Sequence, residues 1–203
     1  MEKYSRIKAL ISLDAIRYNF EQMKKNIKEG TKIIAVIKAD AYGHGAVPIA
    51  RMLEEFDYIW GFAAATAQEA LQLRKAGITR PILILGLVFE EYYKKLAEND
   101  VRMAVCDYET ARKFNKAAEA AGKKGLIHLA ADTGMTRIGF KDREESLEEI
   151  RRIAALPNVE IEGLFTHFAR ADEYDRTPAM VLRIFWKKME SIFHCIIVPI
   201  VPE

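Results

Sequence analysis

Six short apolar runs, "KIIAVIKA", "YIWGFAAA", "PILILG", "VRMAVC", "GLIHLAAD" and "VEIEGLFTHFA", recur along the chain with helical stretches between them. Their continuous, β-branched character suits strands buried on both faces, as in a parallel sheet. Strands alternating with helices every roughly 20 to 30 residues predict a βα-repeat protein. Two architectures satisfy that pattern, a doubly wound sheet and a (β/α)8 barrel. No glycine-rich dinucleotide fingerprint follows any strand, which weakens the first. A complete barrel takes about 250 residues, and this chain has 203. The expectation is an incomplete (β/α)8 TIM barrel of about six βα units. Ahead of the first run, "KALISL" reads as a short strand. "DAIRYNFEQMKKNI" reads as a helix, with Ile16, Phe20, Met23 and Ile27 at helical spacing and Ser12 as its cap.

Lys+Arg at 31 against Asp+Glu at 29 gives a net charge of +2 with the signs interspersed. That balance advertises no basic face for nucleic acid or anionic lipid, so a small-molecule substrate is expected. Cys106 and Cys195 form neither a metal-ligand spacing nor a disulfide framework, which suits a reducing compartment. The first residues, "MEKYSRIKAL", lack a signal peptide's apolar region, and no run reaches membrane-spanning length. A cytoplasmic protein is expected.

Polar residues gather just past the strand ends: Lys38 and Tyr42 after the first run, Asp132 and Arg137 after the fifth, His167 after the sixth. In a (β/α)8 barrel all these ends open on one rim, where such enzymes keep their catalytic groups. A partly desolvated lysine there can condense with an aldehyde. If the aldehyde is pyridoxal phosphate, its ring becomes an electron sink for a carbanion at a substrate's Cα. Singly, each residue has a plainer role. Lys38 could be a solvated charge, Tyr42 a ring packed over the rim, and "DTGMTRIGF" a loop capped by Asp132. His44, Gly43 and Gly45 read as the turn into the next helix, while His128, His167 and His194 suit structural positions. It is the set that points to chemistry.

"AVIKADAYGHGAVPIA", "FAAATAQEALQLRKAGI", "PILILG", "DTGMTRIGF" and "EGLFTHFARADE" resemble, in order, successive motifs of bacterial alanine racemase, a family of the pyridoxal-phosphate fold type III. The resemblance spans roughly positions 5 to 178. It implies a (β/α)8 barrel followed by a β-rich domain, a head-to-tail homodimer, and interconversion of L- and D-alanine for peptidoglycan. Lys38 would hold pyridoxal phosphate as an internal aldimine and act as one of two Cα bases. Tyr42 would bind the phosphate, Arg137 the phenolic oxygen and the substrate carboxylate, and His167 would sit beside the ring. One base on each face of a planar carbanion permits protonation from either side. Where the family commonly has a lysine, often carbamylated, this chain has Ala130. The partner tyrosine, the phosphate-binding serine segment and the arginine facing the pyridine nitrogen have no counterpart.

From Val181 the resemblance stops, which divides the chain into a partial barrel at 1–180 and an aberrant tail at 181–203. Reading "FWKKM" one base out of frame yields Leu-Glu-(Lys/Glu)-(Asn/Asp)-Gly, an ordinary helix end, so a frameshift near codon 180 is the expected cause of truncation and impaired activity. Sequencing the gene tests this: the shifted bases must resume the family pattern. Unpaired strand edges would then be a liability. Alternatives are a racemase of another small amino acid, a non-catalytic pyridoxal-phosphate-binding barrel, or a non-functional gene remnant.

Overall fold

The computed structural model describes residues 8–171, 173–174 and 176–189. Within them β1 (Ile33–Val36), β2 (Ile59–Ala64), β3 (Ile82–Ile84), β4 (Val101–Val105), β5 (Gly125–Ala131) and β6 (Val159–Thr166) form one sheet in chain order. Every neighbouring pair is parallel. A doubly wound sheet reverses its strand order at a switch point. None exists here, so the sheet is the six-stranded half-barrel that the repeat predicts. Among the described residues β1 and β6 each have one strand neighbour.

The helices are α1 (Leu13–Lys25), the turn α2 (Lys38–Tyr42), α3 (Ala46–Leu53), α4 (Ala67–Lys75), α5 (Tyr93–Glu98), α6 (Tyr108–Ala121), α7 (Glu144–Ala154) and α8 (Thr177–Met189). Their boundaries follow local chemistry. Thr66 and Glu69 close a capping box on α4, Asp107 accepts the Thr110 N–H to start α6, and Gly122 ends α6 in the left-handed conformation. Strand residues of one parity, including Phe62, Ile82, Ile84, Met103 and Ile127, pack in one core with Leu53, Leu73, Leu96, Phe114 and Ile150 of the helices. Fully burying each such side chain contributes about 1.5–3 kcal/mol. Residues of the other parity, Leu83, Ala104, Ala130 and Phe165, form a second cluster with Leu85, Cys106 and Ile138 on the barrel's inner face.

Below that cluster the inner face is polar. Arg102 donates from Nε and Nη2 to the Glu162 carboxylate at 2.8 and 2.7 Å, and His128 Nε2 lies 3.0 Å from Glu162 Oε2. Trp60 completes the group, with its ring 5.6 Å from the guanidinium carbon and 5.5 Å from the imidazole centroid. Gly163 makes room for it: a Cβ there would fall 2.7 Å from the His128 ring. His128 thus has the structural role its mid-strand position suggests.

Two expectations need correction, and the tail acquires a structure. "KALISL" is not a strand, because residues 8–12 lie in no strand, the helix starts at Leu13 and Leu10 is 91% exposed. A strand's backbone groups need partners, and no described strand pairs with this segment. Ser12 does cap α1, accepting the Ala15 N–H at 3.2 Å, but the helix ends at Lys25, before Ile27. Ile16 and Phe20 pack on the core while Met23 faces solvent. Beyond Val181, α8 continues to Met189 and buries Leu182, Phe185 and Met189, an i, i+3, i+7 stripe. His194, Cys195 and the apolar end of the tail lie outside the described residues.

Candidate active site

The peptide after β1 takes a rare path. Ala39, Asp40, Ala41 and Tyr42 have φ between 51 and 55°, a left-handed turn of four consecutive non-glycine residues. Such geometry costs roughly 1–2 kcal/mol per residue and persists only where its surroundings over-determine it. Here they do. Glu69 Oε1 accepts the Ala39 N–H at 2.8 Å, and Asp40 Oδ1 accepts the Ala46 N–H at 2.7 Å, at the start of α3. The Asp40 carbonyl accepts the N–H groups of Gly43 and Gly45, and His44 turns Nδ1 to within 2.9 Å of the Ala41 carbonyl. Gly43, at φ 86°, ends the turn where a side chain would be strained. His44 and the glycines therefore build the turn, as read from the sequence.

Lys38 stands at the head of this turn, half-buried, its ammonium nitrogen 6.0 Å from the centroid of the exposed Tyr42 ring. Because all strands are parallel, the residues following β5 and β6 lie at the same end of the sheet. After β5, Asp132 Oδ1 accepts the Gly134 and Thr136 N–H groups at 3.1 and 2.8 Å. The loop then folds back so that Phe140 exchanges backbone hydrogen bonds with Ala130 and Asp132. Asp132 is thus the loop's cap. Thr166, at the end of β6, donates to the Ala131 carbonyl at 2.8 Å and fastens the two strand ends together.

Arg137 and His167 line one small pocket with Ala130, Ala131, Met135, Ile138 and Phe165. Lys38 and Tyr42 share the rim but do not line this pocket. Ala130 is 2% exposed and belongs to the apolar floor. Among the described residues no carboxylate pairs with Lys38, Arg137 or His167. Arg137 and His167 above an apolar floor suit an anionic ligand with a flat ring, and Lys38, outside this pocket but past the end of a parallel strand on the same rim, supplies an amine suited to an aldehyde. The donor set therefore suits pyridoxal phosphate. Glu69 was not singled out from the sequence, although "TAQE" carries its signal, a Thr-x-x-Glu capping box. The Arg102–Glu162–His128 cluster left no such signal, since pairing sixty residues apart is set by strand register.

Near the C-terminal end of β4, Cys106 is half-buried, and burial pushes its thiol up to about 11, with the neighbouring Asp107 adding to the effect. A thiol held protonated is a poor nucleophile, which leaves Lys38 as the rim's nucleophilic candidate. Among the described residues no helix is long and apolar enough to cross a membrane, and no group of three or more His, Cys, Asp or Glu side chains could hold a metal ion.

The fold has relatives among known proteins. Residues 11–195 match the model of the alanine racemase N-terminal domain. The chain is 43% identical over 169 residues to the alanine racemase of Methanococcus maripaludis and 45% identical over 176 residues to that of Clostridium kluyveri. Those matches cover 83% and 86% of this chain but 45% and 44% of the relatives. A solved alanine racemase of Clostridium difficile superposes with a TM-score of 0.89 at 40% identity, over 95% of this chain and 54% of the other. A histidine racemase from Leuconostoc mesenteroides superposes at 0.76 and 30% identity, over 87% and 47%. The chain spans about half the length of the curated relatives it matches. It belongs to the alanine racemase N-terminal domain family.

Proposed function

We propose that this chain is the pyridoxal-phosphate-binding half-barrel of an alanine racemase, in which Lys38 carries the cofactor. The carrying observation is the placement of that amine at the head of a backbone turn held in the left-handed region by two carboxylates, on the rim that also holds Arg137 and His167. When bound, the cofactor withdraws electrons from an amino acid's Cα and so makes its proton removable. The chain's own residues supply the rest. Lys38 would hold the cofactor's aldehyde and would hold or return the Cα proton on one face. The Tyr42 hydroxyl binds the phosphate. Arg137 would orient the substrate carboxylate and the phenolic oxygen through its forked N–H donors, and His167 would lie beside the ring. Alanine is favoured as substrate by the relatives at 43–45% identity. The histidine racemase neighbour indicates that this half-barrel alone does not fix the side chain accepted.

Borohydride trapping tests the reading. Protein incubated with pyridoxal phosphate and reduced should carry one cofactor on the peptide containing Lys38, and Lys38→Ala should carry none. Label elsewhere, or none, refutes it. Exchange of the alanine Cα proton with solvent deuterium then separates a catalytic site from one that only holds the vitamin. This rim offers one Cα base among the described residues, so exchange should outpace net racemisation.

A further inference from the structure

We infer that Glu69 is a positioning residue for Lys38: its carboxylate fixes the peptide plane from which the lysine side chain springs. The geometry is specific. Glu69 Oε2 accepts the N–H groups of Ala65 and Thr66 at 2.8 and 3.2 Å, inside its own helix cap. Its other oxygen, Oε1, leaves the cap and accepts the Ala39 N–H at 2.8 Å. That N–H belongs to the peptide joining Lys38 to Ala39, so the bond sets ψ of Lys38 and φ of Ala39, the first left-handed residue. A capping box needs only one oxygen; the second is spent on the neighbouring strand's turn. β1 and β2 are already in register through Val36 and Ala63, so Glu69 joins the ends of two paired strands.

A left-handed run of L-residues returns to ordinary backbone angles unless it is held, and any such return swings the Lys38 amine away from the rim. Glutamine cannot substitute. Three N–H donors converge on Glu69, and an amide would present its own NH2 to at least one of them. Asp40 holds the far end of the turn through Ala46; at the near end the Ala41 N–H bonds the Ile37 carbonyl at 2.9 Å across Lys38, and Glu69 supplies the side-chain hold on the Ala39 N–H.

The inference rests on Lys38 as the site of cofactor attachment, and the test separates the two. Condensation of the amine with the aldehyde of pyridoxal phosphate releases one water, and borohydride hydride then fixes the adduct as a secondary amine. Trapping is titrated against cofactor concentration for the wild type, Glu69→Gln and Thr66→Ala. Thr66→Ala removes the hydroxyl that caps the Glu69 N–H but leaves the Ala39 bond, so it reports a purely structural loss. We expect Glu69→Gln to raise the half-saturating concentration at least tenfold, with far-UV circular dichroism retained. Thr66→Ala should lower the melting temperature by a few degrees and stay within twofold of wild type in trapping. Equal trapping by Glu69→Gln and wild type, or equal losses in both variants, overturns the inference. If Glu69→Gln does not fold, amide exchange in the wild type decides: an Ala39 N–H protected less than tenfold overturns it, and protection matching strand amides supports it. Absence of Lys38 trapping in the wild type refutes the cofactor reading, and the positioning role with it, even where Ala39 is protected.

Discussion

Arg102 grips Glu162 with two guanidinium N–H groups on the inner face of the half-barrel, with Arg102 only 12% and Glu162 26% exposed at the side chain. Two charges partly withdrawn from water are tolerated because they pair through two hydrogen bonds. Breaking the pair from one side should cost more than removing both charges. Arg102→Met is expected to lower unfolding free energy by about 2–3 kcal/mol, below the roughly 3–5 kcal/mol of fully buried pairs. Arg102→Met with Glu162→Gln should recover more than half of that loss. Urea denaturation of both variants checks the ordering.

The same carboxylate gives the fold an acid limb. Burial pushes the Glu162 carboxyl up, but the hydrogen bonds from Arg102 and His128 outweigh it and hold the group at about 2 instead of 4.5. A folded-state value below the unfolded one stabilises the protein above the unfolded value, and that contribution is lost as pH falls from about 4.5 towards 2. A displacement of that size corresponds to roughly 3 kcal/mol. Denaturation followed between pH 6 and about 2 should show wild type losing stability more steeply than Glu162→Gln, with the two curves parallel above the window. Parallel curves throughout would remove Glu162 as the cause.

Gly163 is small because of His128. With a Cβ 2.7 Å from two ring atoms, Gly163→Ala is expected to cost about 1–3 kcal/mol, the usual range for overpacking. His128→Ala removes the obstruction, so the double variant should lose less than the sum of the single losses. The double-mutant cycle measures that coupling directly.

How far the sequence carries depends on whether a feature is local. The six strands were legible because burial on both faces forces continuous apolar runs, and Ser12 announces a helix start through a hydroxyl that acts within a few residues. "KALISL" is apolar like a short strand yet pairs with no described strand, a fact no local pattern contains. Lys38, Tyr42, Arg137 and His167 were named from their places after strand ends, and parallel pairing does put those ends on one side. What could not be read was the left-handed path of Ala39 to Tyr42, since alanine and tyrosine disfavour it. One of the groups that hold it is a carboxylate thirty residues away in sequence.

Past Val181 the chain still contributes to the core. Phe185 is 1% exposed and packs in the main cluster with Leu182 and Met189. Phe185→Ala is expected to cost about 3–4 kcal/mol through lost burial and the cavity left behind, whereas exposed Ile184→Ala should cost under 1 kcal/mol. Similar small effects at both positions, measured by urea denaturation, would show that α8 does not dock.

The left-handed turn predicts an unusual gain. Ala39 is exposed and sits at φ 51°, so its methyl contributes little burial while straining the backbone. Ala39→Gly keeps the N–H that Glu69 holds and removes the strain of roughly 1–2 kcal/mol. Against this stands the added freedom of glycine in the unfolded chain, about 0.5–1 kcal/mol. The net expectation is a stabilisation of about 0.5–1 kcal/mol. Gly43→Ala, at φ 86° with open space around its Cβ position, should instead destabilise by about 1 kcal/mol from strain alone. Thermal melts of the two variants should therefore move in opposite directions from the wild type. Shifts of the same sign would mean that the turn after Lys38 is not left-handed in solution.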